Sequence, residues 1–336
     1  MDPSEREEIE AAFEEIAYAP VYTASTHRIW VPYLDAFYHF TPRERMPSNR
    51  AGERLGVVAR TLPPVKLPVD WTKGNALQFP YYGNDQYGDC MYAAAAHGVG
   101  GFTGNVGTEL IFDTKALIAA YRKLSGGDNG LDEDMIVAEW KKGLVNDPKS
   151  RIFDSVDIDP NNAALMQAAV YLFGGVQFML SVPNRWINNF KTGAVWDAPA
   201  TPNPMAGHGI WFIGVQPNGN YQLLTWGTYG FITPAGVKVC DPSAFAVASL
   251  QWFNAQGYAP NGLHYTELAP LWNQLGGKPW PASPFPSPGP TPQPGPTPVP
   301  IPTPGQIPSS RTIGYPELGL DLTLNWTATQ PLPPAG

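Results

Sequence analysis

The chain has 336 residues, with 21 Lys plus Arg against 29 Asp plus Glu, so its formal net charge of −8 argues against nucleic-acid phosphate as a general partner. Hydrophobic residues make up 43 % and charged residues 15 %, below the roughly 25 % of an average globular domain. That is enough apolar material for a core, and it excludes wholesale disorder.

The N-terminal stretch MDPSEREEIEAAFEEIAYAP is acidic and has neither the basic n-region nor the apolar h-region of a secretory signal. No run of 18 apolar residues follows anywhere, so Sec export and a membrane span are not expected. The expected location is the cytoplasm, or release or virion or surface association by another route. Residues 4–18 read as a short amphipathic helix, with Ile9, Phe13 and Ile16 on one face and Ser4 capping ahead of Glu7. Residues 21–64 mix aromatics with Pro and Arg without a sustained period and read as an extended arm around the core.

From Val69 the texture changes. A Gly- and Tyr-rich loop (FPYYGNDQYGD) delivers Cys90 to an Ala-rich run ending at His97, a strong helix former. Further helices fit residues 108–123, 132–143 and 161–173, punctuated by Gly. Short β-rich runs follow, GVQFMLSV, GIWFIGV, YQLLTW and VKVC, with a hairpin turn at Pro217-Asn218-Gly219-Asn220. Helices first and an antiparallel sheet second argue for an α+β domain of two lobes, with a site in the cleft between them.

Residues 279–308 alternate Pro with small or polar residues and read as a polyproline-type spacer, so the folded core is expected to end near Leu275. In the tail, residues 318–326 alternate and are expected to form one strand able to add to a sheet edge. The expected domains are an N-terminal helix and arm (1–66), a globular domain (67–278), the linker (279–308) and the tail (309–336).

Two cysteines, Cys90 and Cys240, are too few for a disulfide framework and neither lies in a metal-type pair, so both are expected to be free thiols. A cysteine at a helix start sits in the positive end of the helix dipole, which favours the thiolate. His97 lies on the same helix roughly 10 Å further along and cannot reach the sulfur. His208 lies between Gly207 and Gly209 at the head of an apolar strand, where small neighbours give close access to the ring. The acidic stretch 127–134 lacks calcium-loop spacing and reads as a turn and helix cap. No phosphate loop, zinc pattern or dinucleotide fingerprint occurs, so no cofactor is expected.

The string LPVDW at 67–71, the Gln-Tyr-Gly-Asp-Cys helix start, Gly-His-Gly before a strand, and Thr225-Trp226-Gly227 together resemble the papain-like cysteine peptidases, over roughly residues 67–275. They also resemble bacterial and phage papain-like proteins of uncertain role. The resemblance implies an α+β, papain-like two-lobed fold, Cys90 as nucleophile and His208 as general base. It further implies an oxyanion hole made by the Cys90 amide with the side chain of Asn84 or Gln86, and a peptide or protein substrate. A Cys90–His208 ion pair would then bring the thiol's pKa below that of a free cysteine.

The departures are equally specific. The family glutamine six residues before the cysteine is here Asn84, while Gln86 lies four before it. Asp89 stands beside the cysteine, where helix capping is its expected role. The family asparagine that orients the histidine falls on Leu224, leaving Thr225 as the nearest polar substitute and Trp226 to cover the ring. Residues 1–66 fit a built-in arm or a pro-segment. A degenerate module that assembles through the N-terminal arm and C-terminal tail is the alternative to a hydrolase.

Overall fold

The computed structural model describes residues 62–287, apart from 64 and 73–76, together with the backbone of five short strands outside that span. The helix expected at 4–18 lies outside the described residues. Strands β1 (Val21–Thr23), β2 (Arg28–Val31) and β3 (Ala36–His39) form an antiparallel meander where an extended arm was expected.

Helix α1 (Cys90–Val106) starts at the cysteine and runs beyond the expected end at His97, through four glycines. Packing overrides propensity here. A Cβ on Gly98 would stand 3.0 Å from the rings of both Trp140 and Trp211, so the glycine lets two buried indoles close on the helix. Truncating either Trp to Ala would cost about 3–5 kcal/mol.

Helix α2 (Thr114–Ser125) begins six residues later than the pattern suggests. The Glu109 carboxylate, inside the expected first turn, instead accepts from the amides of Gln78 and Phe79, and Asp113 caps the true start by accepting from the Ala116 amide. Helices α3 (Glu133–Lys142, capped by Asp132) and α4 (Ala163–Phe173, capped by Asn162) fall where expected. The stretch 127–134 is the turn and cap read from its sequence.

The second half is a seven-stranded antiparallel sheet among the described residues. Strands β4 (Val69–Asp70), β5 (Asp154–Asp157), β6 (Val176–Ser181), β7 (Gly207–Val215), β8 (Tyr221–Thr225), β9 (Thr228–Ile232) and β10 (Ser243–Ala248) follow the order β5-β10-β6-β7-β8-β9, and β4 pairs with β7. The β7–β8 hairpin turns at 216–220, closed by the Gln216 amide donating to the Asn220 carbonyl at 2.8 Å. A short helix, α5 (Asn184–Asn189), lies in the long β6–β7 connection.

The run VKVC is not a strand. Residues 234–238 form helix α6 (Pro234–Lys238), because Thr233 caps it by accepting from the Gly236 amide and Pro234 pre-sets the first turn. The sheet draws instead on β5 and β10, whose pairing is long-range, and on β9, which follows β8 through a two-residue turn.

After helix α7 (Tyr265–Gln274) the packed body continues past Leu275. Trp280 packs 5.1 Å from Phe153 and 4.7 Å from Tyr265, and Phe285 packs 5.6 Å from Phe253. The chain divides into two units, Met1–Ser287 and Pro288–Gly336. In the second, the expected single strand is a hairpin: β11 (Ser310–Tyr315) pairs with β12 (Leu320–Asn325) from Ser310↔Asn325 to Tyr315↔Leu320. Pairing satisfies ladder groups that one strand would leave open. No helix among the described residues is long and apolar enough to cross a membrane.

Candidate active site

Cys90 is the first residue of α1 and is 2 % exposed. The loop before it is held from several directions. Phe79 and Tyr82 both adopt left-handed backbone (φ 43° and 58°), a conformation costly for aromatic residues unless the surroundings impose it. His97 imposes it: its ring packs against both aromatics and its Nε2–H donates to the Pro80 carbonyl at 2.7 Å. On the other side the Asp128 carboxylate accepts from the Gly88 amide at 2.8 Å and the Tyr121 hydroxyl at 2.7 Å.

Strand β7 passes directly over the helix start. A Cβ on Gly209 would stand 2.7 Å from Met91 Sδ and 3.1 Å from Met91 Cα, so only glycine permits this approach. Cys90 and Met91 thus open the helix beneath the residue that follows His208.

His208 is fully buried, and its Nε2 is 2.7 Å from Thr225 Oγ1 at the end of β8. The Trp226 indole stacks on the imidazole, centroids 4.5 Å apart and planes 25° from parallel. Trp226 (φ 45°) and Gly227 (φ 64°) make the two-residue turn into β9, a primed turn with a bulky residue at positive φ. The Tyr81 ring lies on Gly227, where a Cβ would be 2.8 Å from Tyr81 Cδ2. Phe190 packs edge-on to the indole at 4.9 Å. Asn84 Nδ2 is 3.5 Å from Thr225 Oγ1, and its Oδ1 is buried without a partner.

Burial governs the charge states. It pushes the Cys90 thiol up to about 12, with the amides of Gly209, Met91 and Cys90 opposing and Asp89 reinforcing the rise. It lowers His208 to about 3. The resting pair is thus neutral thiol and neutral imidazole, not the ion pair that the resemblance implies.

Asp89 does not cap the helix. Its side chain makes no cap hydrogen bond, and both oxygens are buried without a partner. Burial first, then Asp128 and Asp85, hold its carboxyl well above the usual carboxylate range, which disfavours a charge beside the sulfur.

Asn84, Thr225, Trp226 and His208 therefore come together, with Cys90 against the same strand. Gln86 does not join them: its side chain is exposed, and its amide closes the turn onto the Gly83 carbonyl. Sequence reasoning missed Asp128 and Tyr121 as the anchor of the cysteine loop. The only signal was an Asp in a Gly-rich turn. Cys240 is a buried thiol donating to the Val237 carbonyl.

No protein-family model and no curated protein matches the chain. Among solved structures it is similar to xylellain, a cysteine protease from Xylella fastidiosa, at 14 % identity over 62 % of this chain and 92 % of that one, TM-score 0.42. It is similar to the Carica candamarcensis cysteine protease CMS1MS2 in complex with E-64 at 16 % identity over 55 % and 99 %, TM-score 0.42. It is similar to digestive procathepsin L 3 of Tenebrio molitor at 14 % identity over 62 % and 77 %, TM-score 0.42. These likenesses concern the fold and assign no residue of the site. The body is α+β, with a cysteine-headed helix, a helical half, then an antiparallel sheet that carries a histidine and a Trp-Gly turn.

Proposed function

We propose that the chain is a papain-like cysteine peptidase or amidase that uses Cys90 and His208 without a cofactor. The observation that carries this reading is the held histidine: Nε2 bonded to Thr225 beneath Trp226, on the strand whose Gly209 packs against the start of the cysteine helix at Met91. A packed core histidine does not require a strained Trp turn above it and a glycine contact to the start of a cysteine-headed helix beside it.

In this reading the Cys90 sulfur bonds to the carbonyl carbon of a peptide or protein substrate while its proton passes to His208. The carbonyl electrons move onto oxygen, stabilised by the Cys90 amide and a side-chain amide. Asn84 is the better placed of the two candidates, being buried beside Thr225. The C–N bond then breaks, His208 returns the proton to the leaving nitrogen, and water activated by His208 cleaves the thioester to acid and thiol. Because the resting pair is neutral, proton transfer accompanies attack.

A second reading is favoured by one observation: the sulfur and imidazole are 2 % and 0 % exposed. A catalytically silent module that assembles through its N-terminal arm and C-terminal tail would keep such a site sealed. A peptidyl epoxide or vinyl sulfone, incubated from pH 5 to 9 and read by intact mass, separates the two. The hydrolase reading expects one adduct on Cys90 that disappears in Cys90→Ser and His208→Ala. The absence of adduct at every pH would sink it in favour of the assembly module.

A further inference from the structure

His208 is neutral, so one ring nitrogen carries the proton and the other carries the lone pair. Only a ring with its proton on Nε2 offers Nδ1 as a base. In the papain-like pattern a carboxamide oxygen would enforce this by accepting from Nε2–H. Thr225 cannot enforce it alone, because a hydroxyl both donates and accepts.

Thr225 Oγ1 has two polar neighbours, His208 Nε2 at 2.7 Å and the Asn84 amide at 3.5 Å. Its single proton can go to only one of them. With the Asn84 NH2 toward Thr225, the hydroxyl proton goes to Nε2 and the ring proton is forced onto Nδ1. With the amide turned over, the hydroxyl donates to Asn84 Oδ1 and accepts from Nε2–H. The two amide orientations differ only in which of two similar atoms occupies each place.

We propose that Asn84 acts through Thr225 to set the tautomer of His208, its carbonyl taking the Thr225 proton so that hydrogen bonds run from His208 Nε2–H to Thr225 to Asn84 and the lone pair stands on Nδ1. The buried amide atom on the side away from Thr225 has no partner in either orientation. In this arrangement the NH2 group occupies that place and is held in reserve for a negatively charged acyl oxygen. Asn84 is then a positioning residue whose role the family's pattern does not supply, and it replaces an orienting asparagine lost at Leu224. The 3.5 Å separation is long for a hydroxyl donor, as such bonds often are before substrate tightens them.

This rests on the hydrolase reading only for its purpose, since the tautomer is measurable without turnover. The test is nitrogen-15 NMR of histidine side chains in the full chain, with His208 assigned by its loss in His208→Gln. The wild type is expected to show the proton on Nε2. Asn84→Leu leaves the Thr225 hydroxyl no acceptor but Nε2, so the proton is expected to shift to Nδ1. Thr225→Val is expected to remove the preference altogether. A wild-type ring protonated on Nδ1 overturns the proposal, as does an unchanged Nε2–H signal in Asn84→Leu. A wild type that shows Nε2–H but forms no peptidyl adduct would leave the relay standing and sink the hydrolase reading instead.

Discussion

Gly209 and Met91 touch backbone to backbone: a Cβ on Gly209 would fall 3.1 Å from Met91 Cα and 3.2 Å from Met91 N. The contact brings the histidine strand against the cysteine helix, and neither element can retreat, since β7 pairs with β6 and β8 on its two sides. Gly209→Ala is expected to cost about 1–3 kcal/mol, as other overpacked cores do, and to abolish Cys90 adducts with peptidyl probes. Urea denaturation beside intact-mass labelling checks both halves.

A thiol pushed to about 12 by burial reacts with a small alkylating agent only through its rare thiolate. Iodoacetamide labelling of Cys90 is expected to rise about tenfold per pH unit from 7 to 10, without a plateau. Peptide mapping by mass spectrometry gives the rate. Labelling that persists at pH 5 would mean that an ion pair forms after all.

Two buried histidines set an acid limb. Burial lowers His97 to about 4, its bond to the Pro80 carbonyl opposing, and lowers His208 to about 3, both from an unfolded value of 6.5. The unfolded chain takes up protons below 6.5 that the folded chain refuses, so stability falls as pH drops through that window. At pH 4 each histidine contributes a loss of roughly 3 kcal/mol. His97→Gln is expected to flatten the decline between pH 6.5 and 4 in denaturant titrations, even where it lowers stability at pH 8.

Asp89 works in the opposite sense. Its folded carboxyl keeps its proton above the pH at which the unfolded one releases it, so it lowers stability as pH rises from the ordinary carboxylate value of 3.8 toward its own raised value. The neighbouring Asp128 and Asp85 raise it further. Asp89→Asn is expected to stabilise the chain at pH 7 and 8 by a margin that shrinks toward pH 4. A constant margin would show that Asp89 is ionised in the fold.

What the sequence disclosed was local. The Asn-Gly hairpin, the Asp132 and Asn162 caps and the cysteine at a helix start are each set within a few residues. The late start of α2 was hidden because Glu109 bonds to amides about 30 residues away. The run VKVC was misread because its fate is decided by Thr233 and Pro234 just ahead of it. At the site, counting back from Trp226 reached Leu224 as the orienting position. The two-residue turn at Trp226-Gly227 places Thr225 at the histidine instead, with Thr225 paired to Thr228 across it. The neutral states of Cys90 and His208 follow from burial, which no motif encodes.

The hydrogen bond from His97 to the Pro80 carbonyl has an architectural consequence. It closes residues 80–97 into a ring, covalent except at that one link, with Cys90 and Asn84 both inside it. His208, Thr225 and Trp226 belong to a second piece, the β7–β8–β9 ribbon, whose outer strand is paired in turn to β6. A change inside one piece is transmitted to the other where Gly209, Thr225 and Gly227 meet the ring.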